Sequence, residues 1–164
     1  MSVTRLKPAR IEHVVDGLRL RAQLSAAYQS EGAEAARPRV RALLHGALFR
    51  GRMIAKERLE EGENGLAVAR LLAAVADEVV AALYDYTTTH IFRARNPTEG
   101  ERFAVMAVGG YGRGELAPSS DLDLLFLRAY KTTPHAESVT EYMLYMLWDM
   151  GLKVGHASRN VDEC

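Results

Sequence analysis

Between Phe103 and Leu127 two short apolar runs enclose a glycine-rich spacer, and the second run opens on Asp121-Leu122-Asp123. The first run, Phe103 to Val108, ends in Gly109-Gly110 and reads as a buried strand stopped by glycines. The second, Leu122 to Leu127, reads as another strand, with Asp121 at its mouth. The spacer from Tyr111 to Ser120 is too short for a crossover helix between parallel strands, which takes a dozen or more residues. No Gly-Lys-Ser/Thr of a phosphate-binding P-loop is present, and Gly110-Tyr111-Gly112-Arg113-Gly114 lacks the dinucleotide-binding spacing.

Asp121 and Asp123 are two apart on a strand, so their side chains leave the same face. Two carboxylates held together repel each other, and Leu122, Leu124, Leu125 and Phe126 make dry surroundings for them. Divalent cations resolve that conflict. Oxygen-only ligands suit Mg²⁺ or Mn²⁺ better than zinc, and such ions commonly bring substrate phosphates as further ligands. Gly109 and Gly110 then acquire a role, because backbone without Cβ atoms approaches a ligand closely. A short helix from about Tyr111 would aim free N–H groups at the same anion. Ser119 and Ser120 add hydroxyl donors and Arg113 a guanidinium, the shape of a triphosphate site. A surface ion pair between Arg113 and Glu115 is the bland alternative for those two residues.

The rest of this half continues the alternation. Thr133-Pro134 starts a helix, with Glu137 in its first turn, that runs through Tyr142, Leu144, Tyr145, Leu147 and Trp148 to Gly151. Its aromatic residues are expected to pack on the sheet. Leu152 to Ser158 is a third strand. His156, with Ser158 and Arg159, is the histidine to watch near the site; the other four read as ordinary surface or core residues. Asn160 reads as a helix N-cap, with acids in the turn behind it.

Before the turn residues Asn96-Pro97-Thr98-Glu99-Gly100 the pattern is helical. Arg39–Glu61 and Gly65–Phe92 are the clearest helices. The second carries Val68, Leu72, Val75, Val79, Leu83 and Tyr86 on one face and Asn64 as N-cap. The arginine-rich segment Arg37 to Arg58 reads as a solvated helix face.

Composition removes several function classes. Twenty-one basic residues balance 21 acidic ones, so the net charge is zero, unlike a protein built to grip nucleic-acid phosphates. The most apolar stretch, Leu66 to Leu83, is interrupted by Arg70, Asp77 and Glu78, so no membrane span is expected. The N-terminus lacks the apolar core of a secretory signal. The single cysteine, Cys164, excludes an internal disulfide framework and fits a cytoplasmic location.

Gly109-Gly110, the spacer and Asp121-Leu122-Asp123 together resemble the signature of the DNA polymerase beta-like nucleotidyltransferase superfamily. The longer strings GGYGRGELAPSSDLDLLFL and GLKVGHASRNVDEC are similar to one branch, the bacterial uridylyltransferase/uridylyl-removing enzymes that act on the nitrogen-regulatory P-II protein. The resemblance runs from about Phe103 to Cys164; the helical half carries no diagnostic motif. The pattern gives an α+β fold with a helical region over 1–95 and a small mixed sheet with helices over 96–164, and the resemblance makes the latter a partial nucleotidyltransferase domain. The resemblance implies transfer of UMP from UTP to a tyrosine of P-II with release of pyrophosphate. Asp121 and Asp123 would be the metal-binding carboxylates, for Mg²⁺ or Mn²⁺, and Gly109 and Gly110 the triphosphate-facing turn. The superfamily takes a third carboxylate from a later strand. Asp162 and Glu163 match it by position only, so the expectation is a C-terminally truncated chain, weak or inactive alone. Uridylyl-removing and glutamine-sensing domains would lie downstream. Two alternatives stay open at this level: transfer to another protein acceptor, and a non-catalytic nucleotide-binding regulatory module.

Overall fold

The expected stripe of the second helix, Val68, Leu72, Val75, Val79, Leu83 and Tyr86, is buried in full in the computed structural model. That helix, α2 (Gly65–Tyr86), also buries Leu71, Ala73, Ala76, Val80 and Ala82. Core on so much of its circumference requires neighbours on several sides. The structure describes residues 14–94, 102–129 and 133–164. The linker assigned to 96–100 and the residues before Val14 lie outside these.

On one side of α2 lies α1 (Gly17–Glu60), which begins well before Arg39, the expected start. Asp16 caps it, accepting from the Arg19 N–H at 2.9 Å. Its course breaks at Gly32, where φ is +79° and the backbone leaves helical geometry; Pro38 lies within two turns beyond. Glycine tolerates that φ at little steric cost, and proline lacks a helical donor. Leu20, Leu24 and Ala27 before the break, and Val40, Leu44 and Leu48 after it, are all buried. Asn64 caps α2 as expected, its side chain accepting from the Leu66 N–H at 2.9 Å. Arg21 ties the two helices polarly, reaching Asp85 at 2.6 Å and Glu78 at 3.2 Å. A five-residue π-helical turn, Thr87–Ile91, extends α2. Thr87 and Thr88 hydroxyls donate back to the carbonyls of Leu83 and Tyr84, which competes with regular helical pairing.

Three strands follow: β1 (Phe103–Ala107), β2 (Leu122–Arg128) and β3 (Val154–Asn160). Their order is β1-β2-β3. β1 and β2 pair antiparallel, Phe103 opposite Arg128; β2 and β3 pair parallel, Leu122 opposite Val154. The fold is α+β with a mixed sheet. A one-turn helix, α3 (Gly109–Gly112), joins β1 towards β2, and α4 (Pro134–Asp149) carries the crossover from β2 to β3. Thr133 caps α4, accepting from the Ala136 N–H at 3.2 Å. Strand β2 alternates cleanly. Leu122, Leu124 and Phe126 are buried, while Asp123, Leu125 and Leu127 leave the other face.

Two expectations change here. Trp148 and Tyr145 do not pack into the core: they are 42% and 55% exposed and meet edge to face at 5.7 Å. The buried face of α4 is instead Val139, Met143, Met146 and Leu147, and helical spacing puts Tyr145 and Trp148 on the far side. The third strand begins at Val154, because Gly151 (φ +75°) and the Leu152 N–H bond to the Leu147 carbonyl close α4 first. Among the described residues no helix is long and apolar enough to cross a membrane.

Where α1, α2, the π-turn and α4 meet, Tyr28, Tyr86, His90, Phe92 and Tyr142 form an aromatic cluster. The buried hydroxyls of Tyr86 and Tyr142 lie near one another but make no well-formed hydrogen bond. Burial pushes the Tyr86 phenol up to about 12. A raised folded-state pKa favours the native state below the unfolded value of about 10 and loses that advantage as pH rises towards 12. Denaturant midpoints of the parent should therefore fall between about pH 10 and 12, and Tyr86→Phe should flatten part of that fall. A second test concerns packing. A Cβ on Gly51 would run into the Val75 side chain. Gly51→Ala should cost about 1 to 2 kcal/mol in urea melts despite alanine's helix preference. Gly51→Ala with Val75→Ala should cost less than the sum of the two.

Candidate active site

The site builds outward from the end of β1. Val108 is extended, and its N–H bonds to the Asp123 carbonyl at 2.9 Å, so the glycine turn leaves the sheet directly beside Asp123. Gly109 sits at φ +62°. A Cβ there would lie 2.8 Å from Oδ2 of Asp123. On the other side, β3 sets Gly155 opposite Asp123, and a Cβ on Gly155 would strike Oδ1. The Asp123 carboxylate thus stands between two glycines, one from the turn and one from the neighbouring strand. Gly112 closes the turn: its N–H bonds to the Val108 carbonyl at 2.8 Å, and a Cβ would come within 2.6 Å of the Ala107 carbonyl oxygen.

Gly155 was not singled out in the sequence, although a glycine inside a strand pattern signals close approach of another group. The turn helix begins at Gly109 rather than Tyr111, because glycine at positive φ lets the chain turn at once. β2 itself starts at Leu122, so Asp121 precedes it and is exposed, not dry; Asp123 is half-buried. Strand alternation sets Asp123 on the face opposite Leu122 and Leu124, and Asp121 stands one residue before the strand. Lys153, whose carbonyl accepts the Leu122 N–H at 2.9 Å, brings a cation to the same end of the sheet.

Other expected residues sort differently. Arg113 turns back on the loop, donating from Nη1 to the Gly109 carbonyl at 3.0 Å. It does not pair with Glu115, whose carboxylate approaches Arg70 of α2 at 4.0 Å. Ser119 and Ser120 are exposed, and Ser119 holds φ +66°, a left-handed conformation that costs a non-glycine residue about 1 to 2 kcal/mol. His156 stands opposite Leu124, on the face turned away from Asp123, and lies 5.9 Å from the Trp148 ring. It is therefore no part of the site. Asp162 and Glu163 follow the far end of β3. Asn160 is the N-cap as expected; Glu163 completes a capping box with it and also pairs with Arg128 at 3.4 Å. Arg128 lies six strand residues beyond Leu122, roughly 20 Å away. Neither acid therefore reaches the Asp121–Asp123 end. Among the described residues no cluster of three or more His, Cys, Asp or Glu stands ready for a metal.

The fit of a divalent cation can be judged from what is present. Asp121 and Asp123 offer hard oxygen donors only, the chemistry of Mg²⁺ or Mn²⁺. The missing Cβ atoms at Gly109 and Gly155 make the space that the two oxygens of Asp123 occupy. Two carboxylates, one of them seated in such a cradle, fit the protein's share of such a site, with phosphate oxygens supplying more. A groove of about 430 Å³ between α2 and β1 lies elsewhere. Phe103, Val105, Ala107 and Leu124 line it from the helix-facing side of the sheet, opposite Asp123.

The two glycines should respond differently to a methyl group. Gly109→Ala must adopt φ +62° beside Asp123 and should cost about 1 to 2 kcal/mol in denaturant melts. Gly155→Ala meets only the swinging end of Asp123 and should change stability by less than about 1 kcal/mol. Its effect should appear in the orientation of Asp123.

A family model described as "Glutamate-ammonia ligase adenylyltransferase" matches residues 6–146. Over 162 residues, 98% of this chain, the sequence is 67% identical to a bifunctional uridylyltransferase/uridylyl-removing enzyme of Caulobacter vibrioides and 68% identical to one of Phenylobacterium zucineum. A counterpart in Azospirillum brasilense is 57% identical over 78% of the chain. The chain spans about 17% of the length of the first two relatives and 14% of the third. No solved structure matches it. The chain belongs to the glutamate-ammonia ligase adenylyltransferase family of nucleotidyltransferases, and it corresponds to the N-terminal part of bifunctional uridylyltransferase/uridylyl-removing enzymes.

Proposed function

We propose that this chain supplies the nucleotide-handling part of an enzyme that moves UMP from UTP to a tyrosine of the P-II protein and releases pyrophosphate. The observation that carries the reading is the Asp123 carboxylate held between Gly109 and Gly155, beside a glycine turn. Residues 96–164 hold this machinery, and the helices of 1–95 support it. The identity to uridylyltransferases over nearly the whole chain supports the choice of nucleotide.

Asp121 and Asp123 would hold Mg²⁺ or Mn²⁺; when bound, the ions offset the triphosphate's charge and draw electron density from the phosphorus under attack. The remaining work belongs to the chain. Gly109 and Gly110 let backbone N–H groups approach the phosphates without a side chain between. Arg113 fixes the Gly109 carbonyl and with it the curvature of the turn. Ser119 and Ser120 present hydroxyls beside Asp121 in sequence, and Ser119 does so from a left-handed backbone conformation. In the transfer, the tyrosine oxygen bonds to the α-phosphorus while the bond to the bridging oxygen of pyrophosphate breaks and the hydroxyl proton is released.

A second reading, adenylyl transfer to another protein, draws on the name of the family, glutamate-ammonia ligase adenylyltransferase. One assay separates the two and tests the first. The full-length protein is incubated with labelled UTP or ATP, Mg²⁺ and P-II, beside Asp121→Asn and Asp123→Asn. Label should pass from UTP, and each variant should lose at least about a hundredfold in rate. Undiminished labelling by either variant, or transfer from ATP alone, would overturn the reading. The 164-residue chain by itself should transfer poorly.

A further inference from the structure

We propose that the outer face of α1 is a docking surface for an acidic, apolar-anchored segment of the longer polypeptide to whose N-terminal part this chain corresponds. The inference is independent of the nucleotidyl-transfer reading, because none of its residues belongs to the site described above.

Beyond its break, α1 turns Val40, Leu44, Ala47, Leu48 and Ala55 into the core. Helical spacing puts His45, Phe49 and Met53, four residues apart, in a row on the opposite side. Phe49 is 56% exposed and Met53 38%. The His45 and Phe49 rings lie nearly parallel, with centroids 6.4 Å apart. A single exposed apolar residue is ordinary on a protein surface. A row of them along the side of a helix that faces away from its own core calls for a neighbour.

The charges around this row are of one sign. From Ala35 to Lys56 the chain has six basic residues and no Asp or Glu, within a protein of zero net charge. Arg37, Arg39 and Lys56 pair with Asp149, Glu31 and Glu60. Arg41, Arg50 and Arg52 make no ion pair among the described residues. By helical spacing Arg41 and Arg52 flank the row on one side and Arg50 on the other. An apolar centre with a charged rim is the anatomy of a protein interface, where aromatic residues, Met and Arg are enriched.

The uniform sign selects the occupant: carboxylates placed around an apolar anchor. A second copy of this chain is a poor match, since a two-fold contact through this face sets arginines against arginines. A nucleic-acid backbone would meet an apolar row where it needs cations. The longer polypeptide offers a tethered partner at high effective concentration. The chain spans 17% of the Caulobacter relative, so more than four fifths of that protein lies in other segments.

Hydroxyl-radical footprinting of the full-length protein, read residue by residue, tests this. Phe49 and Met53 should be modified slowly in the parent and several-fold faster after Arg41→Glu with Arg52→Glu. The buried Met143 and Met146 should stay protected in both, which shows that the variant is folded. Equal modification of Phe49 and Met53 in parent and folded variant overturns the proposal. Protection that fades on dilution overturns it too, since it marks a second copy. Carbodiimide coupling, which joins amines to adjacent carboxylates, gives a second measurement that needs only the conservative Arg52→Lys. The amine at position 52 should couple, within one polypeptide, to an Asp or Glu beyond residue 164, and less so at high salt. Coupling that is absent, confined to the first 164 residues or only between polypeptides overturns the proposal, whether or not the charge-reversed variant folds.

Discussion

The position of the Asp123 carboxylate is the constraint on which the rest depends. A side chain in the middle of a sheet normally has Cβ atoms for neighbours. Here one neighbour is a glycine in the adjacent strand and the other is a glycine at positive φ in a turn. Removing two methyl-sized volumes from around one carboxylate gives up β-propensity at Gly155 and backbone entropy at Gly109. That loss is tolerable only because β2 is anchored from its opposite face. Leu122, Leu124 and Phe126 are among the most buried side chains in the molecule. The alternation that drives the leucines inward is what turns Asp123 outward.

The anchoring of β2 leads back to α2. This helix carries core around most of its surface and also makes polar contacts with the loop that follows β1. The helical part and the sheet share one continuous hydrophobic cluster, from Val14 to Leu152. A disturbance in α2 is therefore felt in two ways, as lost packing under β2 and as a displaced loop at Glu115 and Leu116. The aromatic cluster at the π-turn ties α4 into the same network, through Phe92 and Tyr142.

Much of this was legible in the residues. The apolar stripe of α2, the caps at Asn64, Thr133 and Asn160, and the strand–turn–strand order all follow from local periods and local hydrogen-bond chemistry. Such signals survive because they involve residues a few positions apart. What could not be read is the set of relations between distant segments. Gly155 owes its meaning to the register of β3 on β2, and nothing in VGHASRN states that register. His156, one residue on, drew notice as a histidine near the site, yet strand alternation turns it to the other face. Arg113 and Glu115 are close in sequence but look to different partners, one to its own turn and one to α2. Trp148 and Tyr145 show the same limit: an aromatic residue on a helix is core or surface according to a phase that one residue decides.

The break at Gly32 has a consequence in lengths. Helix rises about 1.5 Å per residue, so an unbroken α1 of 44 residues would run about 66 Å, against about 33 Å for the 22 residues of α2. A straight rod twice as long as its partner would leave half its apolar stripe overhanging. Yet buried positions on α1 extend from Leu20 to Ala55. One glycine reconciles the two figures. By interrupting the rod it lets both segments lie against the same compact core, and a helix too long for its neighbour becomes a cover that fits.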